Sequence, residues 1–185
     1  MTSILKVSEI QDPTNSNTAL TIDSSGVVSF PNSKDVYNVW YIDTSKSLSS
    51  GYTQLTAASD WTEESAKIGS SMSFDDGTGK WTFPSTGIWE VTWHTTFTTT
   101  GNTNYLGGIM YTTTDDGSNF THYASSYGNA TSGQYTSARS TLVFDVTDTS
   151  THKIRFGVEM SGAGCTLLGG SIRRSYGIFK RLGDT

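Results

Sequence analysis

Residues 75–97 read DDGTGKWTFPSTGIWEVTWHTTF, with three tryptophans, two phenylalanines and one proline in 23 positions of a chain otherwise rich in Ser, Thr and Gly. From Gly87 onward, Trp89, Val91, Trp93, Thr95 and Phe97 share one parity, and Glu90, Thr92, His94 and Thr96 the other. A period of two sends these sets to opposite faces of a strand. Burying one large aromatic side chain is worth about 2–3 kcal/mol relative to water, so the tryptophan face is a core face. Upstream, Asp75-Asp76-Gly77-Thr78-Gly79 makes a turn between strands at 72–74 and 80–83. Pro84 lacks an amide donor and Gly87 frees the backbone, so the chain turns a corner before the long strand starts.

The same punctuation recurs along the chain. Strands are expected at 36–42, 67–74, 104–114, 120–126, 139–147, 153–160 and 171–182. Ser140, Leu142, Phe144 and Val146 share one face, as do Ile154, Phe156, Val158 and Met160. Asp115-Asp116-Gly117 is a second turn of the Asp-Asp-Gly kind, and residues 59–63 carry a capping-box pattern that predicts one helical turn. Many short strands at this spacing imply a sandwich, a jelly roll or a barrel.

The length of 185 residues suits one domain with an additional arm. A net charge of −5 argues against a nucleic-acid partner, which would need a basic face. Arg173, Arg174, Lys180 and Arg181 form the one basic cluster, read as a solvated strand edge protected against further pairing. The opening MTSILKVSEI lacks the apolar run of a signal peptide, and no segment has the length and apolarity to span a bilayer. The glycosylation patterns at Asn119 and Asn129 are therefore taken as coincidence, and Cys165 as a small buried hydrophobe.

Residues 1–33 differ from the rest. Ile4, Leu5, Val7 and Ile10 form an apolar patch, and segments 19–23 and 27–30 flank Ser24-Ser25-Gly26 as a hairpin. Such strands are too short and too few to bury a core alone. The expected organisation is an attachment arm at 1–33 and a single β-domain at 34–185.

The central run resembles the signature of globular complement-subcomponent-q heads and tumour-necrosis-factor-like jelly rolls. The matching positions are Thr78, Gly79, Lys80, Trp81, Phe83, Pro84, Gly87, Ile88, Trp89, Val91 and Trp93. The family's closing strand is echoed more loosely by Ser175, Tyr176, Gly177, Ile178 and Phe179. The resemblance implies an all-β, antiparallel two-sheet jelly-roll sandwich that assembles as a homotrimer. The arm, SILKVSEIQD followed by TALTIDSSGVVSFP, resembles the opening of fibre and virion proteins of tailed phages, marine ones in particular.

Catalytic patterns are scarce. The chain has no Gly-x-Ser-x-Gly elbow, His-Glu-x-x-His helix or phosphate-binding Gly-x-x-x-x-Gly-Lys loop. His94, His122 and His152 stand singly, without zinc-ligand spacing. Each Asp-Asp-Gly turn offers two carboxylates where calcium takes about six to eight oxygens, so neither is a site unless subunits share it. Tyr105, Tyr111, Tyr123, Tyr127 and Tyr135 lie among Ser, Gly, Asn and Thr, the composition of recognition surfaces. They could equally line the sandwich or a trimer axis, since interface cores are rich in tyrosine.

These readings combine into one expectation: a non-enzymatic phage virion protein without a cofactor or bound metal. A trimeric knob, built on a core that includes Trp89, Val91, Trp93, Phe97, Leu142, Phe144 and Phe156, is held to another virion protein through Ile4, Leu5, Val7 and Ile10. It meets a host-surface glycan or protein, with Tyr105, Tyr123, Tyr127 and Tyr135 as candidate recognition or trimer contacts. The rivals are a soluble lectin-like or receptor-binding trimer, a calcium- or ligand-dependent receptor ligand, and a polysaccharide hydrolase. The hydrolase would need two carboxylates facing one groove.

Overall fold

The computed structural model describes residues 9–11, 18–22, 24–26, 28–29 and 35–185. The chain divides into two compact units, Met1–Lys34 and Asp35–Thr185. In the first, β1 (Glu9–Gln11), β2 (Thr18–Ile22) and β3 (Val28–Ser29) form an antiparallel meander. Ile10 pairs with Leu20, and Gly26 at φ +82° lets the chain reverse between β2 and β3. Ile4, Leu5 and Val7, and the side chain of Ile10, lie outside the described residues.

The second unit contains only strands and one short 3-10 turn among its described elements. In order these are β4 (Tyr37–Ile42), β5 (Lys46–Leu48), β6 (Gly51–Gln54), the turn Ala58–Asp60, β7 (Trp61–Glu63) and β8 (Ser73–Asp75). They continue with β9 (Lys80–Thr82), β10 (Gly87–Thr99), β11 (Thr103–Thr113), β12 (Thr121–Ala130) and β13 (Tyr135–Val146). The last three are β14 (Lys153–Met160), β15 (Cys165–Leu167) and β16 (Tyr176–Gly183).

All the pairings are antiparallel and make two sheets. The first runs β5-β15-β10-β16-β4-β7, with β13 on the opposite edge of β10. The second runs β12-β11-β14-β9-β8, with β6 also on β14. The long strand β10 organises the first sheet: β13 pairs along it from Gly87 to Thr98, while β16 and then β15 share its other edge. The fold is a two-sheet antiparallel jelly roll.

Aromatic side chains from both sheets fill the space between them. Trp81, Trp89, Trp93, Phe97, Phe156 and Phe179 are fully buried. Trp93 stacks on Phe156 with ring centres 4.9 Å apart, and its Nε1 donates to the Gly157 carbonyl at 3.0 Å. Trp89 Nε1 donates to the Ser85 carbonyl at 3.2 Å, so the corner before β10 is fastened to the strand it starts. Thr95, also inward, donates its hydroxyl to the Ala138 carbonyl on β13. The polar group is thereby accommodated in the core.

Three local expectations need correction. The 59–63 segment makes no capped helical turn: the 3-10 turn Ala58–Asp60 has no side-chain cap, and Trp61–Glu63 is a strand on β4. Burying the Trp61 ring among Trp81, Trp93 and Phe156 outweighs a local cap worth about 1 kcal/mol. Of the 67–74 strand, Ser73 and Phe74 fall in β8, while Ile68 makes a single bridge to Tyr37. The basic cluster is not a strand edge, because β16 lies between β10 and β4. Arg181 is only 8% exposed; its Nε donates to the Thr86 carbonyl at 2.9 Å and its guanidinium pairs with Asp184. Gly87 leaves room for it, since a Cβ there would stand 2.6 Å from Arg181 Nε. Arg173 sits in the turn before β16 at φ +55° and pairs with Glu64.

Candidate functional site

Two solvent-facing surfaces carry the side chains that could bind something. On the second sheet, register sets Tyr127, Gly107, Glu159 and Tyr52 in one row across β12, β11, β14 and β6. His122, Tyr111 and Arg155 form another. Tyr105 and Tyr127 meet at right angles, with ring centres 5.7 Å apart, and Tyr127 donates its hydroxyl to Glu159 Oε2 at 2.7 Å. Tyr52 packs edge-on against Tyr111 at 5.5 Å, over Gly157, where a Cβ would come within 2.4 Å of its ring. Burial pushes the Tyr52 phenol up to about 12, and burial together with Glu159 does the same for Tyr127. Both phenols therefore keep their protons throughout the physiological range. The guanidinium of Arg155 stands 3.9 Å from the Phe120 ring centre and 5.0 Å from that of Tyr111.

The four candidate tyrosines do not form one group. Tyr105 and Tyr127 come together, at 40% and 42% exposure. Tyr123 instead lines a cavity of ≈ 270 Å³ with Thr112, Asp115, Asn119 and Phe144. Tyr135 opens β13, beneath the Arg174 guanidinium. Sequence reasoning missed Tyr52, Arg155 and Glu159. The available signal was parity: Arg155, Gly157 and Glu159 alternate with the apolar Ile154, Phe156, Val158 and Met160.

The first sheet also presents an outward face. Arg139, His94, Tyr176 and Tyr41 form one row across β13, β10, β16 and β4, and Thr141, Thr92, Ile178 and Val39 the next. His94 stacks on Tyr176 at 4.9 Å, and Arg173 lies over Tyr41 at 5.0 Å. Thr92 is 2% exposed although it points away from the core, and its hydroxyl bonds that of Thr141 at 2.8 Å. Burial, and then the charge of Arg139, lower the pKa of His94 from its ordinary value. In the following row the exposed Val143 and Tyr37 are separated by the charged Glu90 and Lys180, which bound the apolar part of this face.

The turn carboxylates brace loops, their own or a neighbouring one. Asp115 accepts from the Asn119 amide nitrogen at 2.9 Å and from its side chain at 2.8 Å. Its hydrogen bonds, led by that from Thr113, bring its pKa down to about 2. Asp76 accepts from the Ala58 amide at 2.7 Å, tying the first Asp-Asp-Gly turn to the 3-10 turn. Cys165 is buried, its sulfur 3.4 Å from the Thr103 hydroxyl.

No family model matches the chain, and no curated protein matches it. Solved structures do. Murine APRIL, in a crystal structure at pH 8.5, matches with a TM-score of 0.57 at 16% identity, over 80% of this chain and 100% of that one. Eiger TNF from S. frugiperda matches with a TM-score of 0.56 at 12% identity, over 82% of this chain and 94% of that one. At these identities the likeness is one of fold, and the fold is the tumour-necrosis-factor-like jelly roll.

Proposed function

We propose that the chain is a non-enzymatic homotrimeric knob of a tailed-phage virion, anchored by its N-terminal arm and contacting the host surface with the jelly roll. One observation carries the assembly: the outward face of the first sheet. Val39, Tyr41, His94, Tyr176 and Ile178 lie contiguously across three strands on a domain whose core is already closed by the other side of the same sheet. A contiguous apolar and aromatic face of this kind marks a protein contact. A closed ring of three copies would cover it without leaving an open end. The tumour-necrosis-factor-like fold supports the number three. The arm's resemblance to phage fibre openings supports the virion setting.

The tyrosine-bearing face of the second sheet favours a second reading, a soluble trimeric lectin-like or receptor-binding module. Light scattering at micromolar concentration should give three times the 20.0 kDa chain mass. A monomer at that concentration would overturn the assembly. Mass spectrometry of purified phage particles separates the two readings: one copy number per particle supports the virion role, and complete absence supports the soluble module.

A further inference from the structure

An open cleft of ≈ 350 Å³ is lined by Tyr105, Tyr127 and Glu159. Its two rings stand at 85° to one another, so they form two walls of a corner, and the Glu159 carboxylate closes the third side. The corner is held in place. Ser161 Oγ accepts from the Tyr105 amide at 3.2 Å, and the Ser161 amide donates to the Tyr105 carbonyl at 3.0 Å. Tyr127 is fixed at its tip by Glu159 and at its base by Gly107, where a Cβ would stand 2.8 Å from the ring.

The chemistry of this corner is one-sided. Aromatic faces carry the negative part of the ring quadrupole and attract cations within about 6 Å of their centres. The carboxylate adds a full negative charge, and the Tyr127 hydroxyl already directs its hydrogen at that carboxylate. Anions are repelled here. A sugar would want fixed donors as well as acceptors, and the anchored polar group of the corner only accepts.

We propose that Tyr105, Tyr127 and Glu159 bind an organic ammonium ion: a methylated amine, either a free small molecule or the tip of a methylated lysine on another protein. The site goes beyond the assembly reading, which concerns the other sheet, so each can fail without the other.

The test is a titration of the full chain, followed by NMR of its tyrosine ring signals. The probes are choline, Nα-acetyl-Nε-trimethyllysine amide, the neutral choline isostere 3,3-dimethylbutan-1-ol, and methyl glucoside. At least one cation should shift Tyr105 and Tyr127 together, with the neutral isostere about tenfold weaker. Preference for choline or for the lysine derivative identifies the source of the ligand. Glu159→Gln should weaken cation binding about tenfold, and Tyr105→Ala should abolish it. The comparison of cation with isostere on the unaltered chain decides the matter even if a variant misfolds. Equal binding of the isostere, glucoside shifting the rings where cations do not, or no shift by about 50 mM cation would each overturn the proposal. Light scattering on the same sample reads assembly separately.

Discussion

Trp93 shows how one side chain ties the sandwich together. It projects from the first sheet, stacks on Phe156 of the second, and donates to the carbonyl beside that ring. Trp93→Ala should cost about 3–5 kcal/mol in chemical denaturation, through lost burial and the cavity left behind. Gly108 faces the same ring, and a Cβ there would stand 2.5 Å from Trp93 Cδ1. Gly108→Ala should therefore destabilise by about 1–3 kcal/mol, because the indole has no free space to move into. His94 gives a pH dependence with a definite sign. Its folded pKa is lowered, so the folded state binds fewer protons than the unfolded state as pH falls past the ordinary histidine value. Its contribution is complete above that value and is lost as pH falls through the lowered one. Thermal melts should show Tm dropping between neutral pH and about pH 5, and His94→Gln should flatten that drop. An unchanged slope would show that His94 is not the group responsible.

At the scale of elements, visibility followed apolar alternation. β10 could be read from its spacing because every inward position from Trp89 to Phe97 carries a side chain that buries. β5 (KSL), β6 (GYTQ) and β15 (CTL) carried no such pattern; each exists because a neighbouring strand offers an edge to pair with. The placement of Arg181 was hidden for the same reason. Strand order, which puts β16 between two partners, is not written in local composition. The arm belongs to this scale too. Deleting residues 1–33 should leave the jelly roll folded and trimeric but unable to join the particle. Normal incorporation of the truncated chain would place the anchor in the jelly roll. Loss of the trimer would make the arm part of the assembly.

For the whole molecule, the aromatic content divides by residue type. Trp61, Trp81, Trp89 and Trp93 are all buried within one chain, together with Phe83, Phe97, Phe156 and Phe179. What remains outside is mainly tyrosine, whose hydroxyl tolerates water until a partner arrives. The assembly prediction therefore rests on the outward face of the first sheet. Ile178→Glu, in the middle of that face, should leave the far-UV spectrum and a cooperative melt in place while converting the trimer to monomer in light scattering. A variant that stays trimeric would move the interface elsewhere.

The sequence by itself determined that this chain is all-β, where β10 runs and which of its faces is buried, because period-two hydrophobicity is a local property of a strand. The Asp-Asp-Gly turns were equally legible, since turn chemistry is held within a few residues. Only the tertiary structure decided that Tyr105 and Tyr127 meet while Tyr123 and Tyr135 stand apart. It alone brought Glu159 to the Tyr127 hydroxyl and buried Arg181 between strands. Those relations join residues on different strands, 32 positions apart for Tyr127 and Glu159, and are set by strand order and register, which hydrogen bonding across the sheet fixes after the local pattern has been satisfied.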